Sequence, residues 1–207
     1  MSAAGGAPRT LPEIVAGGEP QSGAMVASLA AAFADDPAMS WIFPARAERL
    51  RRLPGLFAAL VSEDLRLGEA LISPGAEAVT LWHGSGHVRT SPWQLLRELP
   101  GFFALLGPHT LRALRISHAI KEHHPAGMAY SYLHFAGVDP AFQGRGWGGA
   151  VIRAGQDRAR AAGLPVYLET ATPENVGLYQ RLGFTVTQEW NVAGGGPHFW
   201  SMLWRPG

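Results

Sequence analysis

Length, composition and charge exclude several classes of protein before any motif is considered. The 207 residues, 47% of them apolar, suit one globular domain with a substantial core. A net charge of +1 gives no electrostatic reason to expect nucleic acid or an acidic membrane surface as a partner, and no apolar run reaches the length of about 20 residues that spans a bilayer. The absence of cysteine excludes disulfides, thiolate metal ligands and a cysteine nucleophile. The first residues lack the apolar core of a signal peptide, so we expect a cytoplasmic protein.

The first part of the chain predicts a small number of regular elements after a disordered tail over residues 1–8. Apolar periodicity, caps and turn residues define each element. The predicted elements are a strand over 11–16, a helix over 23–34, an aromatic loop over 39–44, a helix over 45–67 with a break or kink at Pro54-Gly55, and a hairpin of strands 69–73 and 78–82.

The middle of the chain, residues 84–120, gives the weakest pattern. Pro92, Pro100 and Pro108 divide it into short predicted helices with apolar faces. A loop is expected at His123 and His124, just before the next strand. These two histidines lack further ligands at a recognisable spacing, so we expect no metal.

The last part alternates strands and helices. The predicted elements are strand 129–138, helix 147–162, strand 166–171, helix 173–182, strand 184–192 and strand 198–204. Together with the first part, this order predicts an α/β (α+β) fold in which helices flank one mixed sheet.

A glycine-rich turn links strand 129–138 to the helix that follows. Glycine recurs at alternate positions from Gly144 to Gly148, so the backbone can approach a ligand closely. The first N–H groups of a helix have no internal partner and lie at its positive end, which suits a phosphate or pyrophosphate. Arg145 adds a fixed cation.

The same glycines can be read as a dinucleotide fingerprint. Gly144, Gly146 and Gly149 spell G-x-G-x-x-G, and Glu169 follows 20 residues later as the acid that would bind a ribose. Such a fingerprint normally opens its domain, whereas 143 residues precede Gly144, and only one strand-helix-strand unit follows it. We therefore favour a different pyrophosphate ligand.

The turn and its surroundings resemble the GCN5-related N-acetyltransferase (GNAT) family. That family's coenzyme A loop reads [Gln/Arg]-x-x-Gly-x-[Gly/Ala] and often follows Val-x-Pro, matched here by Val138, Pro140, Gln143, Gly146 and Gly148. Further matches follow the loop, namely Leu168-Glu-Thr170, Asn175, Tyr179 and Arg181-Leu-Gly-Phe184. Within the family, the segment from His123 to Gly207 is most similar to members that acetylate the antibiotic puromycin.

The resemblance implies a fold and a cofactor. It implies one acetyltransferase domain over 9–207, with an acceptor-side half over 9–125 and an acetyl-CoA-binding half over 126–207. Its sheet would be twisted and mostly antiparallel, with about seven strands. The residues expected to hold acetyl-CoA are Ala136, Gly137, Val138, Gln143, Gly144, Arg145, Gly146, Trp147, Gly148, Gly149, Asn175 and Tyr179.

The resemblance also implies the acid and offers several bases. Tyr179 would protonate the departing thiolate, since a phenol and a thiol have similar basicity. Related enzymes place a base four or six residues before the Val of Val-x-Pro, which here are His134 and Tyr132. Glu169 is a further candidate, either as base or as the group that attracts an ammonium substrate. On strand 129–138 we expect Tyr130, Tyr132, His134 and Ala136 to share one face if no bulge intervenes.

The expected activity is transfer of an acetyl group from acetyl-CoA to a primary amine of a small molecule, such as an aminonucleoside antibiotic. No serine nucleophile motif is present, which favours direct attack in a ternary complex. The acceptor site is expected to include Trp41, Phe43, Trp82, Trp93, Glu169 and Thr170. A protein acetyltransferase and a non-catalytic coenzyme A-binding protein stay open as alternatives, as do a monomer and a homodimer.

Overall fold

Seven strands form one sheet, and helices cover both of its faces. The computed structural model describes residues 13–84 and 104–207. The strands are β1 (Val15–Gly17), β2 (Glu69–Ile72), β3 (Ala78–Gly84), β4 (Ser131–Val138), β5 (Val166–Thr170), β6 (Thr185–Asn191) and β7 (His198–Trp204). The helices are α1 (Ser22–Ala32), α2 (Pro37–Ile42), α3 (Arg46–Leu67), α4 (Thr110–His123), α5 (Trp147–Ala161) and α6 (Pro173–Arg181), with 3-10 turns at Glu19–Gln21, Gly107–His109 and Pro140–Phe142.

The strand order confirms the predicted mixed, mostly antiparallel sheet. The order is β1-β2-β3-β4-β5-β7-β6, and β4–β5 is the parallel pair among otherwise antiparallel neighbours. The β4–β5 pairing covers two positions, Ser131 with Val166 and Tyr132 with Tyr167. Beyond Tyr132, the edge of β4 that faces β5 has no strand partner in the described part of the chain, so the sheet is open there.

A bulge in β4 changes the predicted alternation of its side chains. Leu81 pairs with Phe135 and Trp82 with Leu133, so His134 is an extra residue in β4. Phe135 packs with the core under α1 and α3, whereas Ala136 packs with the core under α5. The expectation that Ala136 shares a face with His134 is therefore wrong, because the extra residue reverses the alternation after it.

Two apolar cores hold the helices against the sheet. Met25 of α1 and Phe57 of α3 belong to one core, and Val151 and Ile152 of α5 belong to the other. α5 lies so close to the sheet that a side chain at Gly155 would collide with the ring of Trp82.

Three elements differ from the sequence prediction. The predicted aromatic loop contains α2, because Asp36 caps it by accepting the N–H of Met39 at 2.9 Å and Pro37 occupies its first turn. α3 runs through Pro54, since packing of its buried face outweighs the loss of one backbone hydrogen bond. α4 includes His123, which was expected in a loop.

Several predictions lie outside the described residues. These are the tail over 1–8, the start of the strand over 11–16, and the positions Pro92, Trp93 and Pro100. Over the ranges that are described, the helices are all too short or too polar to cross a membrane.

Candidate active site

The glycine turn after β4 begins α5 in a conformation that suits an anion. Asp139 accepts the N–H of Ala141 at 2.8 Å and so holds the 3-10 turn that precedes the glycines. Gly144 and Gly146 have φ values of +73° and +86°, a left-handed conformation that favours glycine. Gly146 is the N-cap of α5. The glycines therefore allow the chain to reverse and present a helix start.

The amide groups of this turn are available to a ligand. Within the described residues, the N–H groups of Gly144, Arg145 and Gly146 make no hydrogen bond. The next three N–H groups open α5 and lack partners in the helix. These six amides surround the positive end of a helix at an exposed surface.

Two side chains of the turn stabilise its shape. The guanidinium of Arg145 donates to the carbonyl oxygen of Ala141 at 3.0 Å and lies 5.0 Å from the ring centroid of Phe142. The amide nitrogen of Gln143 donates to the carbonyl oxygen of Val138 at 3.3 Å. We infer that these side chains hold the loop while its backbone offers the donors.

The open edge of β4 leads from this turn toward a group of polar side chains. Ala136, Gly137 and Val138 pair with β3 on one side, and their other edge has no strand partner in the described ranges. A Cβ at Gly137 would lie 2.9 Å from Leu29, so glycine allows α1 to pack against the strand here. Backbone groups on the open edge can bind an extended ligand as a strand would.

Asp64 joins two histidines beneath the bulge of β4. Nδ1 of His134 lies 3.0 Å and 3.1 Å from the two oxygens of Asp64. Nε2 of His83, from β3, also contacts Asp64. The Asp64 side chain is 1% exposed, whereas that of His134 is 24% exposed. The cluster therefore has a buried carboxylate and one imidazole that reaches toward solvent.

The ionisation of Asp64 follows from these contacts. Burial alone would raise the pKa of its carboxyl, but the two histidines outweigh burial and hold that pKa below its ordinary value. Asp64 is therefore an acceptor at neutral pH, and each contacting imidazole nitrogen must donate. For His134 this leaves Nε2 with its lone pair.

Among the described residues, the side chains of Asp64, His83 and His134 form a cluster that could hold a metal ion. One donor atom from each of Asp64, His83 and His134 lies within 4.8 Å of the others. Because both oxygens of Asp64 already accept from imidazoles, the cluster is satisfied by hydrogen bonds. The expected absence of a metal stays a prediction.

A second buried carboxyl lies on β5 just beyond the point where its pairing with β4 ends. Glu169, on β5, is 3% exposed, and the hydroxyl of Tyr132 donates to its Oε2 at 2.9 Å. Its Oε1 makes no hydrogen bond, although Nε2 of His124 lies 3.3 Å away. Burial raises the pKa of Glu169 to about 8. This carboxyl can change its charge near neutral pH.

The neighbours of Glu169 stay neutral. Burial, followed by the charge of His134, lowers the pKa of His124 to about 4. Burial, followed by the charge of Glu169, raises the pKa of Tyr132 well above its ordinary value. Tyr132 thus keeps its proton and acts as a donor to Glu169, which makes it a poor base.

The predicted acid lies on α6, on the other side of the sheet. Tyr179 is buried against Phe184, with ring centroids 5.6 Å apart, and Asn175 lies one turn earlier on the same helix face. Burial, followed by the charge of Asp36, raises the pKa of Tyr179. The phenol therefore carries its proton at neutral pH, as an acid must.

The predicted acceptor residues are placed differently from one another. Phe43 is 0% exposed and Trp82 is 2% exposed, and both belong to the apolar cores. Trp41 on α2 is half-buried under Arg112, whose guanidinium lies 5.8 Å from its ring centroid. Thr170 is buried and its hydroxyl accepts the N–H of Thr172 at 3.2 Å.

The sequence analysis missed Asp64 and His83, and it considered His124 only as a metal ligand, a role that it rejected. Asp64 had a detectable signal, because it continues the buried stripe of α3 that contains Phe57, Leu60 and Val61. An acid on an apolar helix face needs a buried partner. His83 and His124 gave no such signal, since only the sheet and the end of α4 bring them close.

Comparison with known proteins gives one family and several similar folds. Residues 113–184 match the model of the acetyltransferase (GNAT) family, a stretch that includes the glycine turn and α6. A curated relative, mycothiol acetyltransferase of Corynebacterium glutamicum, is 32% identical over 74 residues, which are 34% of this chain. The match spans 24% of that relative's length.

Solved structures share the fold over almost the whole chain. A Corynebacterium glutamicum protein described as histone acetyltransferase HPA2 and related acetyltransferase has a TM-score of 0.70 and 22% identity, covering 96% of this chain and 98% of that one. Arylalkylamine N-acetyltransferase 2 of Aedes aegypti has a TM-score of 0.69 and 14% identity, covering 94% and 99%. Polyamine N-acetyltransferase of Drosophila melanogaster has a TM-score of 0.62 and 16% identity, covering 93% and 100%.

These relatives do not show a particular closeness to the puromycin-acetylating members. Identities below 25% show a shared fold and leave the substrate open. The acetyltransferase (GNAT) family model matches residues 113–184, which is less than half of the chain, and the solved structures share the seven-stranded fold over almost all of it.

Proposed function

We propose that the protein is an acetyl-CoA-dependent N-acetyltransferase that acts on a primary amine of a small molecule. The family match supports acetyl transfer, and the names of the relatives support an amine as the acceptor to test. The observation that carries the proposal is the open edge of β4. It connects the exposed amides at the start of α5 to the polar clusters around His134 and Glu169.

The residues present fit acetyl-CoA as the co-substrate. Amides from Gly144 to Gly149 would bind its pyrophosphate, and backbone groups of Ala136, Gly137 and Val138 would bind its pantetheine arm and polarise the thioester carbonyl. Asn175 would contact the same arm. Acetyl-CoA supplies an activated acetyl group, so the protein needs no nucleophile of its own.

The reaction requires one base and one acid. The amine arrives as an ammonium, which the carboxylate of Glu169 would attract when it is ionised. Nε2 of His134 would take the first proton from the ammonium, and the neutral amine would then attack the thioester carbon. As the carbon–sulfur bond breaks, Tyr179 would give its proton to the departing thiolate, and the second proton that nitrogen loses would restore the phenol. His134 is preferred over Tyr132 because the latter is held neutral as a donor.

The surroundings favour a small acceptor over a protein. The side chains near the open edge are mostly buried: Tyr132 is 6% exposed and Glu169 3%. A flexible lysine tail needs a groove, whereas a compact amine fits an enclosed site. The puromycin-like tail makes an aminonucleoside the first acceptor to test, and the named relatives make arylalkylamines and polyamines the next.

Turnover with a panel of amines tests the proposal. Release of coenzyme A thiol and the mass of the product are followed with puromycin, phenylethylamine, agmatine and a lysine peptide. We expect acetylation of at least one small amine. Tight binding of coenzyme A without any acetylated product would favour the non-catalytic alternative, and preference for the peptide would favour a protein substrate.

The variant Tyr179→Phe tests the acid. Losing the hydroxyl removes the proton donor to the thiolate, so kcat should fall about tenfold or more, with little change in KM for the amine. The variant keeps the buried ring and its contact with Phe184, so its melting temperature serves as the control for folding. An unchanged kcat would remove Tyr179 from the mechanism.

A further inference from the structure

Asp64 is a charged side chain on the apolar face of α3, and no step described so far uses it. We propose that Asp64 is a positioning residue that holds His134 in the tautomer with a free Nε2 and stabilises its cationic form, and that His83 fixes Asp64 from the other side. The proposal rests on the proposed function, because it supplies the orienting groups for the base named there.

The geometry carries the proposal. Three elements converge on one carboxylate: α3 supplies Asp64, β3 supplies His83 and the bulge of β4 supplies His134. Nδ1 of His134 lies 3.0 Å and 3.1 Å from the two oxygens, so the ring is aligned with both. At 1% exposure the carboxylate is shielded from water, and its contacts are consequently strong.

The chemistry of imidazole explains why this orientation matters. In water, a neutral histidine prefers the proton on Nε2, which would leave no lone pair on the exposed nitrogen. A carboxylate that accepts from Nδ1 reverses this preference and also favours the imidazolium that forms after proton transfer. His134 can reach α3 because the bulge turns this extra residue of β4 toward that helix.

His83 completes the arrangement. Its Nε2 contacts Oδ1 of Asp64, the oxygen that is 3.1 Å from Nδ1 of His134. The centroids of the two imidazole rings are 4.8 Å apart. With donors on both sides, the carboxylate cannot rotate without losing a hydrogen bond. We therefore expect one orientation of His134.

Other ionisable groups also face His134. Tyr132 lies on its own strand with the ring centroids 5.5 Å apart, and Tyr132 donates to Glu169 of β5. His124, after α4, interacts electrostatically with His134. Asp64 is the group among these that bonds directly to His134, so its charge should have the largest effect on the basicity of Nε2.

Nitrogen NMR reads the tautomer directly and needs no substrate. In protein labelled with ¹⁵N-histidine at pH 8 to 9, we expect His134 to carry its proton on Nδ1. Asp64→Asn removes the charge with little change in shape, and the proton should then occupy Nε2 at least in part. A wild-type His134 with its proton on Nε2, or an unchanged tautomer in the variant, would overturn the proposal.

Steady-state kinetics of the full chain provide a second test of the role of Asp64. For Asp64→Asn we expect kcat to fall about 10²-fold with little change in KM for the amine, because His134 is no longer held in the tautomer with a free Nε2. In His134→Gln, adding Asp64→Asn should cause no further loss of kcat.

Controls separate positioning from folding and from a metal role. Asp157→Asn makes the same change at an exposed ion pair with Arg160 and should leave both the tautomer and kcat unchanged. Additive losses in the double variant, or one tightly bound divalent metal per chain as purified, would overturn the proposal. If the wild-type protein binds coenzyme A and turns over an amine, failure of the Asp64 variants to behave as expected overturns only the role of Asp64. If the wild-type protein shows no turnover, the proposed function fails, while the NMR experiment still tests the tautomer of His134.

Discussion

The two ends of the open edge of β4 are built in opposite ways. The turn from Asp139 to Gly149 is exposed and offers backbone amides, and its side chains mainly hold its shape. The clusters around Asp64 and Glu169 are buried and offer side chains whose charges depend on one another. One end is therefore suited to bind a constant part of a ligand, and the other to move protons.

This difference sets how each end responds to substitution. Most substitutions leave the backbone N–H groups in place, and these donors are lost only when the backbone conformation changes. The glycines with positive φ are therefore the positions of the turn most sensitive to substitution. Replacing one carboxylate oxygen by an amide nitrogen removes a buried charge, so variants of nearly the same shape, such as Asp→Asn or Glu→Gln, are enough to test the clusters. Variants at one end should leave the function of the other end intact.

The largest expected effect separates chemistry from cofactor binding. His134→Gln removes the base, so kcat should fall about 10²- to 10⁴-fold. The dissociation constant for coenzyme A, measured by calorimetry, should stay within about twofold, because the amides lie at the other end of the edge. A kcat close to wild type would make Glu169 the better candidate for the base.

A glycine of the turn should give the reverse result. Gly144 has a φ of +73° with open space around it, so Gly144→Ala adds strain without a clash. The left-handed conformation costs about 1–2 kcal/mol for alanine, which predicts a rise of about 5- to 30-fold in the dissociation constant for coenzyme A. Near-saturating acetyl-CoA should restore kcat.

A matched glycine controls for strain alone. Gly163, after α5, has a φ of +67° and also has open space, but it is far along the chain from the turn. Gly163→Ala should lower the melting temperature by a similar amount and leave coenzyme A affinity unchanged. Equal losses of affinity in the two variants would show that the turn has no special role.

The smallest expected effect is a pH dependence of the free energy of unfolding that arises from the burial of Glu169. Its pKa of about 8 in the folded protein lies above the ordinary value of 4.5, so the folded state binds the extra proton between these values. Stability should therefore fall as pH rises from 4.5 to 8 and level off above 8. Glu169→Gln removes this dependence and should be the more stable variant at pH 8.

Melting curves between pH 6.5 and 9 measure this difference. His124, with its pKa lowered to about 4, should contribute only below about pH 6.5 and so does not interfere. Each kcal/mol corresponds to about 2–4 °C for a chain of this size. Glu174→Gln, at an exposed position of α6, is the control. Parallel curves for wild type and Glu169→Gln would show that Glu169 is ionised in the folded state.

The sequence by itself determined the local structure around the glycine turn. The glycine turn, the strand before it and the helix after it depend on neighbouring residues, and each was predicted within about two residues of its observed bounds. The mixed sheet followed from the order of these elements. Local spacing could not show that Phe43 and Trp82 would be buried in the cores.

Only the tertiary structure brought the polar clusters together. His83 and His134 lie 19 and 70 residues after Asp64 along the chain, and all three meet because α3, β3 and the bulge of β4 are neighbours in the fold. The bulge itself depends on the register between β3 and β4, which no short pattern specifies. Contacts between distant residues set the charges of the site, so its chemistry became visible only once the sheet and helices were in place.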